Sequence, residues 1–137
     1  MRKYLPLLLV FYFFTFTARF VFSQSKPADG FEAFFRDFQG AVAQNDAEKV
    51  ASLSNFPRFR WEPLTDQDIK TKEEFLKKFS KMFSPAMKKK IASAKPSKTS
   101  GGDYLFDWIY AHEQYTLAFD HQPGGGFKFS GLLRGPE

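Results

Sequence analysis

The sequence predicts an α+β fold, with N-terminal helices packed against an antiparallel sheet, and three observations carry that expectation. Apolar residues recur at helical spacing from Phe31 to Ala94. The period then changes to strict alternation in "YLFDWIYA", "YTLAF" and "FKFSGLL". Turn-forming residues separate the alternating runs, most plainly in "QPGGG". No internal repeat or low-complexity segment interrupts this order, so residues 31–137 read as one domain.

The chain opens "MRKYLPLLLVFYFFTFTARFVFSQ". Arg2 and Lys3 followed by an apolar run from Leu5 to Phe16 read as a secretory signal, too short to span a bilayer. Val21 and Ser23 suit the third and first positions before a cut, which places cleavage after Ser23 and the product in the periplasm or outside the cell. The alternative is an uncleaved anchor flanked by Arg19. Cleavage would remove Arg2, Lys3 and Arg19, so the formal charge of +5 falls to +2. The chain has no cysteine, which excludes disulfides, thiolate chemistry and acylation as a lipoprotein. It must fold on its core alone, and 13 phenylalanines after Ser23 supply one.

Residues 24–30 read as a short flexible lead. Phe31, Phe34, Phe35, Phe38, Ala41 and Val42 then form one stripe of an amphipathic helix. Asn45, with Glu48 three residues on, resembles a capping box and opens a second short helix ending near Leu53. "NFPRFRWEPLTDQD" carries Pro57 and Pro63 and reads as an edge strand or extended loop. Thr71 and Glu74 form a second capping box, before Phe75, Leu76, Phe79, Met82 and Phe83 on one helix face, with Lys77, Lys78 and Lys81 opposite. Ser84 and Pro85 suit the N-cap and first position of a fourth helix, "PAMKKKIASA". The helical part ends at "KPSKTSGGD", and three antiparallel strands close the chain.

Three consecutive glycines beside His121 and Lys128 raise the question of a phosphate cradle. Such loops work because the start of a following helix aims its amides at the anion. Here Phe127, Lys128, Phe129 and Ser130 alternate instead, so Pro123 and the glycines read as a hairpin turn.

This order, with "FFRDFQGAVAQNDAEKVASLSNFP", "TKEEFLKKFSKMFSP" and a terminal "FKFSGLL", resembles the nuclear transport factor 2-like superfamily, which includes the SnoaL-like and ketosteroid isomerase-like proteins. It is most similar to the small exported members of unknown function. The resemblance implies a curved sheet wrapped around helices into a cone, a cystatin-like roll whose open end is a pocket in some members and a partner surface in others. Enzymatic members place an Asp or His deep in the cone, and no residue here matches such a motif. A fold resemblance carries no chemistry by itself.

Candidate chemistry is sparse. His112 and His121 are the only histidines, both in turn contexts, and no metal-ligand spacing surrounds them. No nucleophile-elbow serine and no cofactor motif occurs, so neither metal nor cofactor is expected. Asp107 shares a strand face with Leu105 and Ile109, opposite Phe106 and Trp108. In a cone interior it would be the acid or base of a small lyase or isomerase; with the aromatic face turned inward it points to water. Trp61, between Arg60 and Glu62, either stacks a ligand or covers the core edge, and Trp108 and Tyr110 are the other ligand-facing candidates.

Charge is unevenly spread. From Lys70 to Lys98 ten lysines face only Glu73 and Glu74. Lys77, Lys78, Lys81, Lys88, Lys89 and Lys90 are the candidates for contact with an anionic envelope surface, against the plainer reading of a solvated helix face. The expected function is a non-catalytic module that binds a small apolar ligand or a protein partner. Pairing of two copies through the sheet is the further partner to weigh, membrane contact would be peripheral, and no nucleic-acid motif is present.

Overall fold

A computed structural model describes residues 29–62 and 68–135. The leader, the cleavage site after Ser23 and most of the 24–30 lead lie outside the described residues, as does Pro63. The elements are α1 (Phe31–Ala43), α2 (Ala47–Ser52), β1 (Arg60–Trp61), α3 (Lys72–Met82), α4 (Pro85–Ala92), β2 (Ser97–Lys98), β3 (Tyr104–Tyr110), β4 (Glu113–His121) and β5 (Phe127–Arg134). The fold is α+β, with the helices packed on one five-stranded sheet ordered β1-β5-β4-β3-β2.

The expected all-antiparallel sheet needs correction: β1 runs parallel to β5, with Arg60 opposite Gly131 and Trp61 opposite Leu132. A long connection makes that possible, since all of α3 to β4 lies between the two strands. The segment "KPSKTSGGD" also holds a strand, β2, paired antiparallel with the start of β3. The edge strand offered as one reading of "NFPRFRWEPLTDQD" is β1, at the sheet edge, while β2 was not expected, because a two-residue strand contains no alternation to detect.

Caps follow the sequence closely at α3 and α4. The Thr71 hydroxyl accepts from Glu74 N at 3.2 Å, and Ser84 accepts from Met87 N at 3.3 Å with Pro85 in the first turn. At α2 the cap is Asp46, not Asn45: its carboxylate accepts from Lys49 N at 3.0 Å. Asn45 instead takes φ 57°, a left-handed conformation that asparagine tolerates, and so turns the chain between the helices. The glycine run is a hairpin turn, with Gln122 N donating to Gly126 O at 2.9 Å and Gly125 and Gly126 at φ 92° and 80°. The β3–β4 connection uses Ala111 and His112, both at positive φ, in the two-residue pattern whose twist matches the strands. His112 is exposed in that turn, while His121 closes β4 rather than lying in a loop.

The core is a sandwich of phenylalanines between α1 and the sheet. Phe38 lies 4.8 Å from Phe129 and 5.2 Å from Phe119 between ring centroids, and Phe31 contacts Phe119 and Phe127 edge-on at 5.6 and 5.2 Å. Edge-to-face pairs add about 0.5–1.5 kcal/mol each beyond the burial itself. Gln39 ties α1 to the end of α4 by donating to the Ile91 carbonyl at 2.9 Å. A register shift between Ala118 and Phe119 interrupts the β4–β5 ladder, and such irregularities increase strand twist and bend the sheet over the helices.

Asp29 belongs to this framework. Its carboxylate accepts from Phe31 N, from Lys98 Nζ at 2.8 Å and from the Tyr104 hydroxyl at 2.8 Å, and the Tyr104 ring stacks on Phe31 at 3.6 Å. The hydrogen bond from Lys98, then that from Tyr104, hold the Asp29 carboxyl down at about 2 from its ordinary 3.8. A carboxyl lowered by folding stabilises the native state above its unfolded value and loses that contribution as pH falls through the folded one. Between pH 3.8 and about 2 the melting temperature of the wild type is therefore expected to fall more steeply than that of Asp29→Asn. Parallel thermal melts across that window check this, and equal slopes would refute it.

Candidate functional site: an aromatic cavity with a lysine rim

The cavity is built at the end of the sheet where β1, β3, β4 and β5 meet the α3–α4 bend. Alternation along β3 puts Phe106, Trp108 and Tyr110 on one face. Trp108 is buried, pairs across the ladder with Tyr115, and stacks on that ring at 5.4 Å and on Phe106 at 5.6 Å. Trp61 arrives from the opposite edge of the sheet through the β1–β5 pairing and is also buried. Leu132, opposite Trp61, completes the floor.

The helical wall follows from a break in the chain. Helix α3 stops at Met82 because Phe83 leaves helical geometry, and Ser84–Pro85 restarts it in a new direction. Met82 and Lys81 at the end of α3 then share the cavity with Ala86, Met87, Lys89, Lys90 and Ser93 from one side of α4. The cavity, open to solvent on one side, has a volume of about 590 Å³, within the range of small-molecule sites. Trp61, Trp108 and Tyr110, the three ligand-facing candidates of the sequence, all line it.

Its rim is unusual in two respects. Ile109 and Tyr110 are the exposed large hydrophobic residues among the described residues, at 76% and 60%, and both border the cavity. Neither indole N–H donates to a described residue, and no buried side-chain nitrogen or oxygen among the described residues lacks a partner, so both indole donors reach accessible space.

The lysines divide into two groups. Lys78 pairs with Glu74 at 2.9 Å, Lys88 donates to Asn45 Oδ1 at 2.7 Å, Lys98 pairs with Asp29 and Lys72 with Glu48. Lys70, Lys77, Lys81, Lys89, Lys90 and Lys95 make no ion pair with a described residue, and three of these six, Lys81, Lys89 and Lys90, line the cavity. Among the described residues the lining contains no Asp, Glu or His. Glu113, which accepts from the Tyr115 hydroxyl at 2.8 Å, is itself paired with Arg134.

Asp107 stands elsewhere. It is exposed, accepts from the Thr116 hydroxyl, and is not among the lining residues. With Trp108 turned inward, strand alternation sends its neighbour to water, so the cone-interior acid of the alternative enzyme reading does not form here. Among the described residues no group of three or more His, Asp or Glu could hold a metal, and no helix is long and apolar enough to cross a membrane.

No protein-family model and no curated protein matches the chain. Sequence reading missed Met82, Met87, Tyr115 and Leu132 as cavity walls; it named Lys81, Lys89 and Lys90 as candidates for an anionic surface but not as neighbours of a cavity. The spacing of Ala86, Lys89, Lys90 and Ser93 does place them on one helix side, but it carries no sign that this side faces a cavity.

Proposed function

We propose that this chain is an exported, nuclear transport factor 2-like domain that binds a small apolar molecule without transforming it. The observation that carries the reading is the convergence of Trp61, Trp108 and Tyr110, from two separate strands, on one cavity of about 590 Å³. Buried aromatic walls beside exposed Ile109 and Tyr110 are what an apolar occupant would cover. A lining without carboxylate or imidazole among the described residues supports binding over proton-transfer chemistry. The element order, helices first and antiparallel strands last, supports the family reading, and the leader supports export.

The two tryptophans of the chain are Trp61 and Trp108, so intrinsic emission reports from the cavity. Titration with the neutral apolar probe N-phenyl-1-naphthylamine is expected to saturate and to quench or shift that emission. Tyr110→Ala, at an exposed rim position that leaves the core intact, should weaken the probe severalfold, while Asp107→Asn should bind as wild type does. No saturable change in emission, or equal affinity in Tyr110→Ala and wild type, would refute the reading.

A further inference from the structure

We infer that the occupant is an amphipathic monoanion, an apolar body carrying one acid head group held by Lys81, Lys89 and Lys90. This deepens the apolar-ligand reading and rests on it. Four of the ten lysines of the basic stretch, Lys72, Lys78, Lys88 and Lys98, are neutralised or tethered locally. Of the other six, Lys81, Lys89 and Lys90 border the cavity, and its lining holds no carboxylate among the described residues. Three like charges border one apolar cavity with no counter-charge among the described lining residues, and an anionic head group would supply it.

The rest of the lining fits the other end of such a ligand. Met82 and Met87 present flexible thioethers that adapt to an irregular apolar chain. Ser84 and Ser93 and the accessible indole donors add neutral hydrogen-bonding groups that suit an anion's oxygens. A neutral apolar molecule would fill the floor and leave the lysine rim unused.

The test compares dodecanoate with dodecanol, which share an apolar chain and differ in charge, using tryptophan emission of the full chain at neutral pH below the aggregation range of either. Dodecanoate is expected to bind about tenfold more tightly, the scale of one charge-assisted hydrogen-bonding contact, and this preference should shrink as salt rises. In Lys81→Met/Lys89→Met/Lys90→Met, which keeps the apolar stems, the preference should vanish while dodecanol affinity persists. Equal binding of acid and alcohol to wild type, or a preference that survives in the triple variant, overturns the inference. If N-phenyl-1-naphthylamine saturates the cavity but dodecanoate does not, only the anionic head group is refuted. If neither probe binds, the cavity reading fails as well. Lysine-dependent binding of phosphatidylglycerol vesicles with no response to dodecanoate would assign the same lysines to a membrane surface and also overturn the inference.

Discussion

Phe129→Ala is expected to lower stability by about 3–5 kcal/mol, the cost of emptying a fully buried aromatic site. Phe129 is the ring at which the separate parts of the molecule meet. It contacts Phe38 of α1, Phe59 before β1, Phe83 at the end of α3 and Phe119 of β4, with centroids 4.8, 5.0, 6.1 and 5.5 Å away. Its backbone joins the same region: its N–H donates to the Leu53 carbonyl at 2.8 Å, and its carbonyl accepts from Asn55 N at 2.8 Å. Truncation removes the ring but leaves those backbone bonds, so the surroundings are held in place and cannot collapse to fill the space. For a domain whose whole stability is about 5–15 kcal/mol, this is a large share. Urea unfolding followed by circular dichroism should show the midpoint fall with little change in slope. Phe34→Ala, at a half-buried position on the same cluster, should cost clearly less. Equal losses at the two positions would mean that Phe129 is not the junction described.

The helical half was legible because it follows rules of local range. Thr71 and Ser84 cap the helices that their spacing announces, and the stripe of Phe31, Phe35 and Phe38 is buried. Asn45 and Asp46 are adjacent and both suited to a cap, and only the backbone conformation separates the one that turns from the one that caps. The long strands were legible for the same reason, but β1 and β2 exist only through their partners. Parallel pairing of Arg60 and Trp61 with β5 is a contact between residues some seventy positions apart, and nothing in "FRWEP" announces it.

The site was legible in its aromatic part and not in its polar part. Trp61, Trp108 and Tyr110 stand out because large aromatics in a small chain must be placed somewhere, and two of them fall on strand faces. A run such as "MKKKIASA" looks like a solvated face in any sequence. That Lys89 and Lys90 border a cavity depends on the break at Phe83 and Ser84, which sets the direction of α4 against the sheet. The charge imbalance was readable from composition, but its local compensation by Glu48, Glu74 and Asp29 was not, because two of those three pairs join different elements.

Gly131→Ala tests how the cavity is held together. A Cβ at this position would sit 2.6 Å from the Arg60 carbonyl oxygen, 3.1 Å from Arg60 Cβ and 3.3 Å from the Leu133 side chain. The first contact is with backbone, so no rotamer change relieves it, and one strand must move. β5 is held by the long ladder to β4, whereas β1 is two residues at the sheet edge, held by the Arg60–Gly131 and Trp61–Leu132 pairs and a bond from Glu62 N to the Leu132 carbonyl at 3.2 Å. β1 therefore yields, and Trp61 goes with it. The expected cost is about 1–3 kcal/mol, in the range of other overpacking changes, with the sheet and the helical core still folded. The larger effect is on binding: with one aromatic wall displaced, affinity for N-phenyl-1-naphthylamine should fall about tenfold, the equivalent of 1.4 kcal/mol. Gly124→Ala is the matched control, because a Cβ there meets nothing within 4 Å and its φ is not in the left-handed region. Thermal melts and probe titration of both variants decide the matter. If Gly131→Ala and Gly124→Ala behave alike, the close approach of β1 is not what positions Trp61; if Gly131→Ala melts lower but binds normally, Trp61 is part of the core and not of the site.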